Sequence, residues 1–190
     1  MEIINTSIPG VKILKPRIFN DARGYFFESF SEKEFCEKVT KTHFVQDNQS
    51  KSSFGVIRGL HFQAPPYTQA KLVRCVEGVV LDVAVDIRTG SPTYGQYVAV
   101  ELSADNMLQL FIPHGFAHGF SVLSESAVFQ YKCDNYYCPD KEGGIFMFDK
   151  DIDINWRIPQ DKAIISAKDN AYIHLKDFVS PFNFENNDNI

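Results

Sequence analysis

No stretch of this 190-residue chain approaches the roughly 20 consecutive apolar residues of a membrane span. Its opening residues, MEIINTSIPG, carry no basic segment leading into a long apolar core. A membrane partner and an export signal are therefore not expected, and the chain reads as cytoplasmic. Cysteine is scarce. The four cysteines stand at 36, 75, 133 and 138 with no two-residue gap between any pair, so neither a zinc knuckle nor a thioredoxin-like site is expected, and reduced, mostly buried thiols are. Positive charge is in deficit: 19 Lys and Arg against 24 Asp and Glu give a net charge of −5. That argues against a broad cationic face for nucleic acid and leaves any anionic small molecule to a local basic pocket. There is no Walker loop and no G-x-G-x-x-G opening a helix, so a dinucleotide cofactor is not supported.

What is present reads as one ordinary globular domain, with 44% hydrophobic and 23% charged residues. The clearest helix starts at Ser31, where Ser31 and Glu34 form a capping box and Phe30 and Phe35 occupy the two positions of a hydrophobic staple; it ends near Val39. Between residues 44 and 133 the apolar pattern has period two. Val73 and Cys75 alternate with Leu72 and Arg74, Leu81, Val83, Val85 and Ile87 alternate with Asp82, Ala84 and Asp86, and YVAVEL, MLQLFI and SAVFQYKC follow. These short strands are punctuated by turn residues, with no helical segments long enough for parallel crossovers between them. A mainly β, antiparallel sandwich or barrel follows. Seventeen Phe and eight Tyr suit a barrel filled at one end and open as a pocket at the other. The polar end, residues 185–190, is expected to fray.

Two segments place chemistry on that framework. GVIRGLHFQ, from Gly55 to Gln63, sets an Arg and a His in an apolar strand flanked by glycines. Arg58 and His61 are an odd number of residues apart and would face opposite sides, unless a bulge at Gly59 turns both toward one ligand. IPHGFAHGF, from Ile112 to Phe120, sets Pro113, Gly115 and His118 in a P-x-G-x-x-H arrangement. Together the two segments resemble the signature motifs of the cupin superfamily of small jelly-roll barrels. Metal-dependent cupins add a second His two residues after the first, and then a Glu. Here that second position is Gln63, and the following APPYTQAKLV holds no carboxylate but does hold Lys71, a cation that would repel a metal. No metal is expected.

The residue types that remain suit proton transfer beside a carbonyl. An imidazole can take a proton at cellular pH, a phenol can return one, and an ammonium can stabilise the negative charge that develops between the two events. Tyr131 shares a face with Ala127 and Phe129 and projects inward, and Lys71 shares a face with Val73 and Cys75. Each has a plainer reading that these residues alone leave open: His61 as a satisfied core or interface histidine, Tyr131 as a core tyrosine, Lys71 as a side chain snorkelling from an edge strand.

The chain also resembles the dTDP-4-dehydrorhamnose 3,5-epimerases of deoxysugar biosynthesis. RGYFFESF at 23–30, FVQDNQSKS at 44–52, GVIRGLHFQ, KLVRCVEG at 71–78, LDVAVDIR at 81–88, SPTYGQY at 91–97, IPHGFAHGF, VFQYKCDNYY at 128–137 and SAKD at 166–169 occur in the family's order. The resemblance implies a cupin-type antiparallel jelly-roll barrel with a few short peripheral helices, acting without a cofactor on a nucleotide sugar. It implies His61 as base, Tyr131 as acid on the opposite face of the sugar, Lys71 as stabiliser of the enolate, and Asp169 as the carboxylate paired with the base. Asp82 is implied as a supporting partner behind them. Substrate-binding positions by the same resemblance are Arg23, Phe26, Glu28, Gln46, Asn48, Arg58, His118, Tyr137, Glu142 and Lys168. Arg23, Phe26 and Glu28 reach the neighbouring subunit's site, which implies a homodimer. Arg58 and Arg23 suit a diphosphate, because guanidinium forks pair with phosphate oxygens. After Glu142, GGIFMFD replaces the family's usual GIRWND-like stretch, so nucleotide preference or subunit packing can differ there. Three rivals use overlapping features: an epimerase acting at one carbon or on another nucleotide's 4-keto sugar, a metal-dependent cupin oxygenase, and a non-catalytic sugar-nucleotide binder.

Overall fold

A computed structural model describes residues 1–184. The expectation of a frayed end at 185–190 lies outside the described residues. In chain order the elements are β1 (Glu2–Asn5), β2 (Lys12–Lys15), β3 (Phe19–Asp21), β4 (Gly24–Phe26), α1 (Glu32–Lys38), β5 (Gln46–Ser53), β6 (Ile57–Gln63), β7 (Lys71–Glu77), β8 (Val79–Asp86), β9 (Tyr97–Ser103), β10 (Gln109–Ile112), β11 (Phe116–Val122), β12 (Ser126–Cys133), β13 (Glu142–Gly144) and α2 (Ala167–Asn170). Two antiparallel sheets face each other, ordered β1-β2-β10-β7-β12-β5 and β13-β6-β11-β8-β9, and β3 pairs with β4 as a separate hairpin. This is the cupin-like jelly roll, mainly β. No helix among the described residues is long and apolar enough to cross a membrane.

The N-terminal helix forms as its sequence requires. Ser31 Oγ accepts the Glu34 N–H at 3.4 Å, the Phe30 and Phe35 rings lie 5.9 Å apart, and the helix is capped at Val39. Only half of the capping box closes, because the Glu34 carboxylate accepts from Lys38 and from the N-terminal ammonium instead. Phe35 fixes α1 against the outside of the six-stranded sheet through Leu14, Leu72 and Phe111.

Between the sheets lies a core built from Val73, Cys75, Leu110, Ala127 and Phe129 on one wall and Val80, Ala84, Leu102, Phe120 and Val122 on the other. The alternation in Leu81 to Ile87 proves to be something other than an inside and an outside. Leu81, Val83, Val85 and Ile87 face away from the barrel, into a second apolar layer completed by Ile145, Met147, Ile152, Trp156 and Ile158 from the C-terminal segment. Their polar neighbour Asp82 points between the sheets and is fully buried. Both faces of β8 are therefore covered, since the chain after β13 folds back over the five-stranded sheet. The GGIFMFD stretch belongs to this outer layer from Ile145 onward: Ile145 and Met147 are buried, and Met147 O accepts the Trp156 indole N–H at 2.8 Å. All four cysteines are free; Cys75 and Cys133 are buried, Cys36 and Cys138 half-buried.

Candidate active site

Period-two geometry carries side chains out of the core and into a pocket. Along β12, Phe129 closes the core, stacked on Phe120 with ring centroids 4.3 Å apart, and Tyr131 and Cys133 step outward from it. On the neighbouring strand Val73 lies opposite Tyr131, and Lys71 lies opposite Cys133. Asn48 flanks Tyr131 on β5. Across the barrel, on the other sheet, β6 contributes His61, opposite His118 on β11 and Gly144 on β13. Together His61, Lys71, Tyr131, Asn48, Gln46, Cys133, Tyr137, Glu142, Gln63, Gln69 and Phe62 line a cavity of about 310 Å³.

The expected bulge is present. The β6–β11 register shifts between His118 and Phe120, which oppose His61 and Arg58 respectively. Gly59 sits in the extra position with φ +126°, and a Cβ there would meet Gly119 Cα at 2.6 Å and His118 O at 2.7 Å. Only glycine fits that approach. Arg58 donates from Nε to Ser52 Oγ at 3.1 Å, and its charge reaches the Tyr131 phenol.

His61 Nε2 lies 2.7 Å from Asp169 Oδ1, while Gly59 N–H donates to Asp169 Oδ2 at 3.3 Å. Asp169 is buried. Burial raises its pKa, but the hydrogen bond and charge of His61, the Gly59 amide and Ser166 outweigh that and hold it below the usual carboxylate range. In a neutral imidazole, donation from Nε2 to this carboxylate would leave the lone pair on Nδ1. Asp82 serves a different histidine. Its Oδ2 lies 2.9 Å from His118 Nε2, and burial lowers the pKa of His118 against the opposing charge of Asp82.

Lys71 is half-buried in the cavity wall. Desolvation lowers its pKa, opposed by Cys133, Asp82 and Glu142. An ammonium partly shielded from water interacts more strongly with an anion formed beside it than one in bulk solvent would. Burial raises the Tyr131 phenol, which keeps it protonated and able to donate. The Cys133 thiol is pushed up to about 11, chiefly by burial, and is an inert wall.

At the mouth, Tyr137 Oη donates to Glu142 Oε2 at 2.6 Å, and Lys168 Nζ reaches the same oxygen at 2.7 Å. Gln46 Oε1 accepts the Tyr137 N–H at 3.1 Å. Gln63, the position at which metal cupins hold a histidine, is buried with its amide committed: Nε2 donates to Tyr67 O and Tyr136 O, and Oε1 accepts the Cys138 N–H. That donor set does not fit a metal centre.

Arg23, Phe26 and Glu28 stand apart from this chain's own pocket. They lie exposed on and after the β3–β4 hairpin, Arg23 paired with Asp21 at 2.6 Å and Phe26 69% exposed. The sequence reading missed Gln69, Cys133 and Tyr172 as neighbours of the site. Cys133 was legible from its two-residue spacing to Tyr131. Gln69 and Tyr172 sit in irregular segments, where no period marks a face.

Comparison with known proteins agrees with this geometry. A sequence profile described as dTDP-4-dehydrorhamnose 3,5-epimerase matches residues 5–177. The protein of that name from Shigella flexneri is 56% identical over 170 residues, covering 89% of this chain and 93% of its own. The crystal structure of the dTDP-4-dehydrorhamnose 3,5-epimerase from Elizabethkingia anophelis NUHP1 is 51% identical, with a TM-score of 0.89 over 93% of this chain and 97% of that one. The dTDP-6-deoxy-D-glucose-3,5-epimerase from Legionella pneumophila Philadelphia 1, solved in complex with dTDP-4-keto-L-rhamnose, is 49% identical, with a TM-score of 0.90 over 94% of each chain. A jelly roll with a lysine, an imidazole and a phenol lining one cavity, matched over nearly its whole length, thus belongs to the dTDP-4-dehydrorhamnose 3,5-epimerase family of isomerases.

Proposed function

We propose that this enzyme converts dTDP-4-dehydro-6-deoxy-D-glucose into dTDP-4-dehydro-L-rhamnose, with His61 as base, Tyr131 as acid, Lys71 as enolate stabiliser and Asp169 as the partner of the base. One observation carries the reading: His61 and Tyr131 stand on facing sheets of one cavity, with Lys71 on the strand beside Tyr131. A hexose between those walls meets an imidazole on one face and a phenol on the other.

The C4 ketone acidifies both C3–H and C5–H. His61 takes one of these protons, the C–H electron pair moves into an enolate whose charge rests on the C4 oxygen, and Lys71 stabilises that oxygen. Tyr131 then protonates the carbon from the other face, which inverts it, and solvent restores the phenol and deprotonates the imidazole before the second centre is processed. Substrate and product are isomers, so no electron acceptor or donor enters the balance.

Arg58 and Lys168, with Gln46, Asn48, His118, Tyr137 and Glu142, form this chain's share of the nucleotide-sugar site. The exposed β3–β4 hairpin supports a homodimer in which Arg23, Phe26 and Glu28 complete the neighbouring site. We place the one-domain enzyme in the cytoplasm, supplying rhamnose for surface polysaccharide such as lipopolysaccharide O antigen. Incubation with the 4-keto sugar in heavy water, followed by NMR of C3 and C5, tests the assignment. His61→Asn should admit no deuterium at either carbon while still binding dTDP. Tyr131→Phe should exchange without completing inversion. Normal inversion by either variant would remove that residue from its role.

A further inference from the structure

His61 is held on more sides than its hydrogen bond to Asp169 accounts for. The turn that ends α2 delivers a second group to it: the Tyr172 ring stands edge-to-face with the imidazole, centroids 5.8 Å apart and planes at 73°. The same ring presses on β13 at Gly144, the residue registered opposite His61, so closely that a Cβ there would lie 2.4 Å from it. The backbone on either side of this contact is tied, with Ile145 bridged to Ile173 and the Phe146 N–H donating to Ile173 O at 2.9 Å. Tyr172 thus fills the space that Gly144 leaves empty and walls one side of the imidazole.

Its hydroxyl does nothing comparable. The oxygen is buried and makes no hydrogen bond among the described residues. The charge and side-chain contact of Lys168 lower the phenol's pKa, yet burial and the charge of Glu142 push it up to about 12, and the Lys168 ammonium pairs more closely with Glu142, at 2.7 Å. A buried hydroxyl with no well-formed hydrogen bond adds little that a purely apolar ring would lack.

We propose that Tyr172 is a positioning residue for the base: its ring, seated over Gly144, holds the His61 imidazole in the orientation set by Asp169 and keeps bulk water from that side. This rests on the reading of His61 as base. Small displacements of a reacting group are expensive, about 1 Å costing up to roughly a hundredfold in rate.

The test compares Tyr172→Phe, Tyr172→Leu and Tyr172→Ala by steady-state turnover of the dTDP-linked 4-keto sugar, solvent-deuterium entry at C3 and C5, and dTDP binding. Tyr172→Ala should lose about tenfold to a hundredfold in kcat, with KM and dTDP affinity nearly unchanged, and Tyr172→Leu should fall between it and wild type. Tyr172→Phe should keep full turnover and unfold no earlier than wild type. Gly144→Ala, which drives a methyl into the ring, should also lower kcat, and adding Tyr172→Ala to it should cost little more. Unchanged kcat in the alanine variant overturns the proposal. So does a phenylalanine variant as impaired as the alanine one, and so does a parallel loss of dTDP affinity, which would mean that the pocket as a whole had collapsed. His61→Asn runs beside them as the control: deuterium entry surviving that substitution strikes down the base assignment itself, whatever the Tyr172 series shows.

Discussion

Lys71 concentrates the electrostatics of the site in one side chain. It enters the pocket from a strand whose next inward residues, Val73 and Cys75, are core, so it is held by the sheet rather than by a loop and stays half-buried at the cavity. Its lowered pKa reflects lost hydration, and in the proposed mechanism an oxyanion forming at C4 would offset that loss. Lys71→Ala should therefore lower kcat by about a hundredfold to a thousandfold, or about 2.7–4 kcal/mol of barrier, with a smaller change in dTDP affinity. Single-turnover kinetics checks this, and a variant within about threefold of wild type would deny the lysine that role. The plain alternatives for His61, Tyr131 and Lys71 separate at this scale too. His61 holds a buried carboxylate at 2.7 Å, but so does His118 at 2.9 Å. The loss of deuterium entry in His61→Asn is therefore what separates a base from a packed histidine, and the loss of rate in Lys71→Ala is what separates a stabiliser from a snorkelling lysine.

Elements place these side chains, and some do so by means the sequence displays. The bulge at Gly59 was legible because a Gly between Arg58 and His61 has few other uses in an apolar strand. The Ser31 cap and the Phe30–Phe35 staple were legible because both are local. The clamp made by Gln63 was not, since its three partners lie on two separate loops, at Tyr67 and at Tyr136 and Cys138. Gln63→Ala would leave two carbonyls and one amide without this partner. It should cost about 1–3 kcal/mol of stability and loosen the loop that presents Tyr137. Faster hydrogen exchange at the Cys138 amide, with KM raised more than kcat is lowered, is the expected pattern. An unchanged exchange rate would show that the loop stands without the clamp.

At the scale of the whole molecule, two apolar layers share the five-stranded sheet, and buried carboxylates knit them to the loops. Asp86 is raised by burial but held below its ordinary pKa by Arg88, Ser91 and Thr93; Asp149 likewise by the Leu175 and Asp151 amides and His174. With Asp169 these groups are depressed in the fold, so their contribution is complete above the unfolded value of about 3.9 and is lost as pH falls through the lower folded values. His118 is depressed as well, chiefly by burial, so its contribution begins to fade below its unfolded value of about 6.5. The urea midpoint should therefore decline gently from about pH 6.5 and steeply below about pH 4, and Asp86→Asn should flatten the steep part. A midpoint that holds constant down to pH of about 3 would contradict this. The proposed dimer makes its own prediction. Arg23→Ala and His61→Asn subunits, each impaired alone, should regain about a quarter of wild-type activity on mixing, because half the dimers become mixed and each of those has one intact site. No recovery after confirmed subunit exchange would place Arg23 outside the shared site.

Local and periodic information was sufficient for much of this. Strand periodicity, the capped helix, the glycine bulge and the inward faces of Tyr131 and Lys71 follow from backbone geometry acting over a few residues, and the order of the motifs along the chain was enough to identify the family. Which face of β8 was the inside could not be read that way. Leu81, Val83, Val85 and Ile87 form the more apolar face, yet they look outward, because a covering layer contributed from Ile145 onward makes that exterior dry. The same return of the chain decided that Asp169 meets His61, that Asp82 meets His118 instead, and that Tyr172 stands over Gly144. Pairings of that kind depend on which segments pack together, and apolar burial is indifferent to sequence separation, so only the completed tertiary structure could choose them.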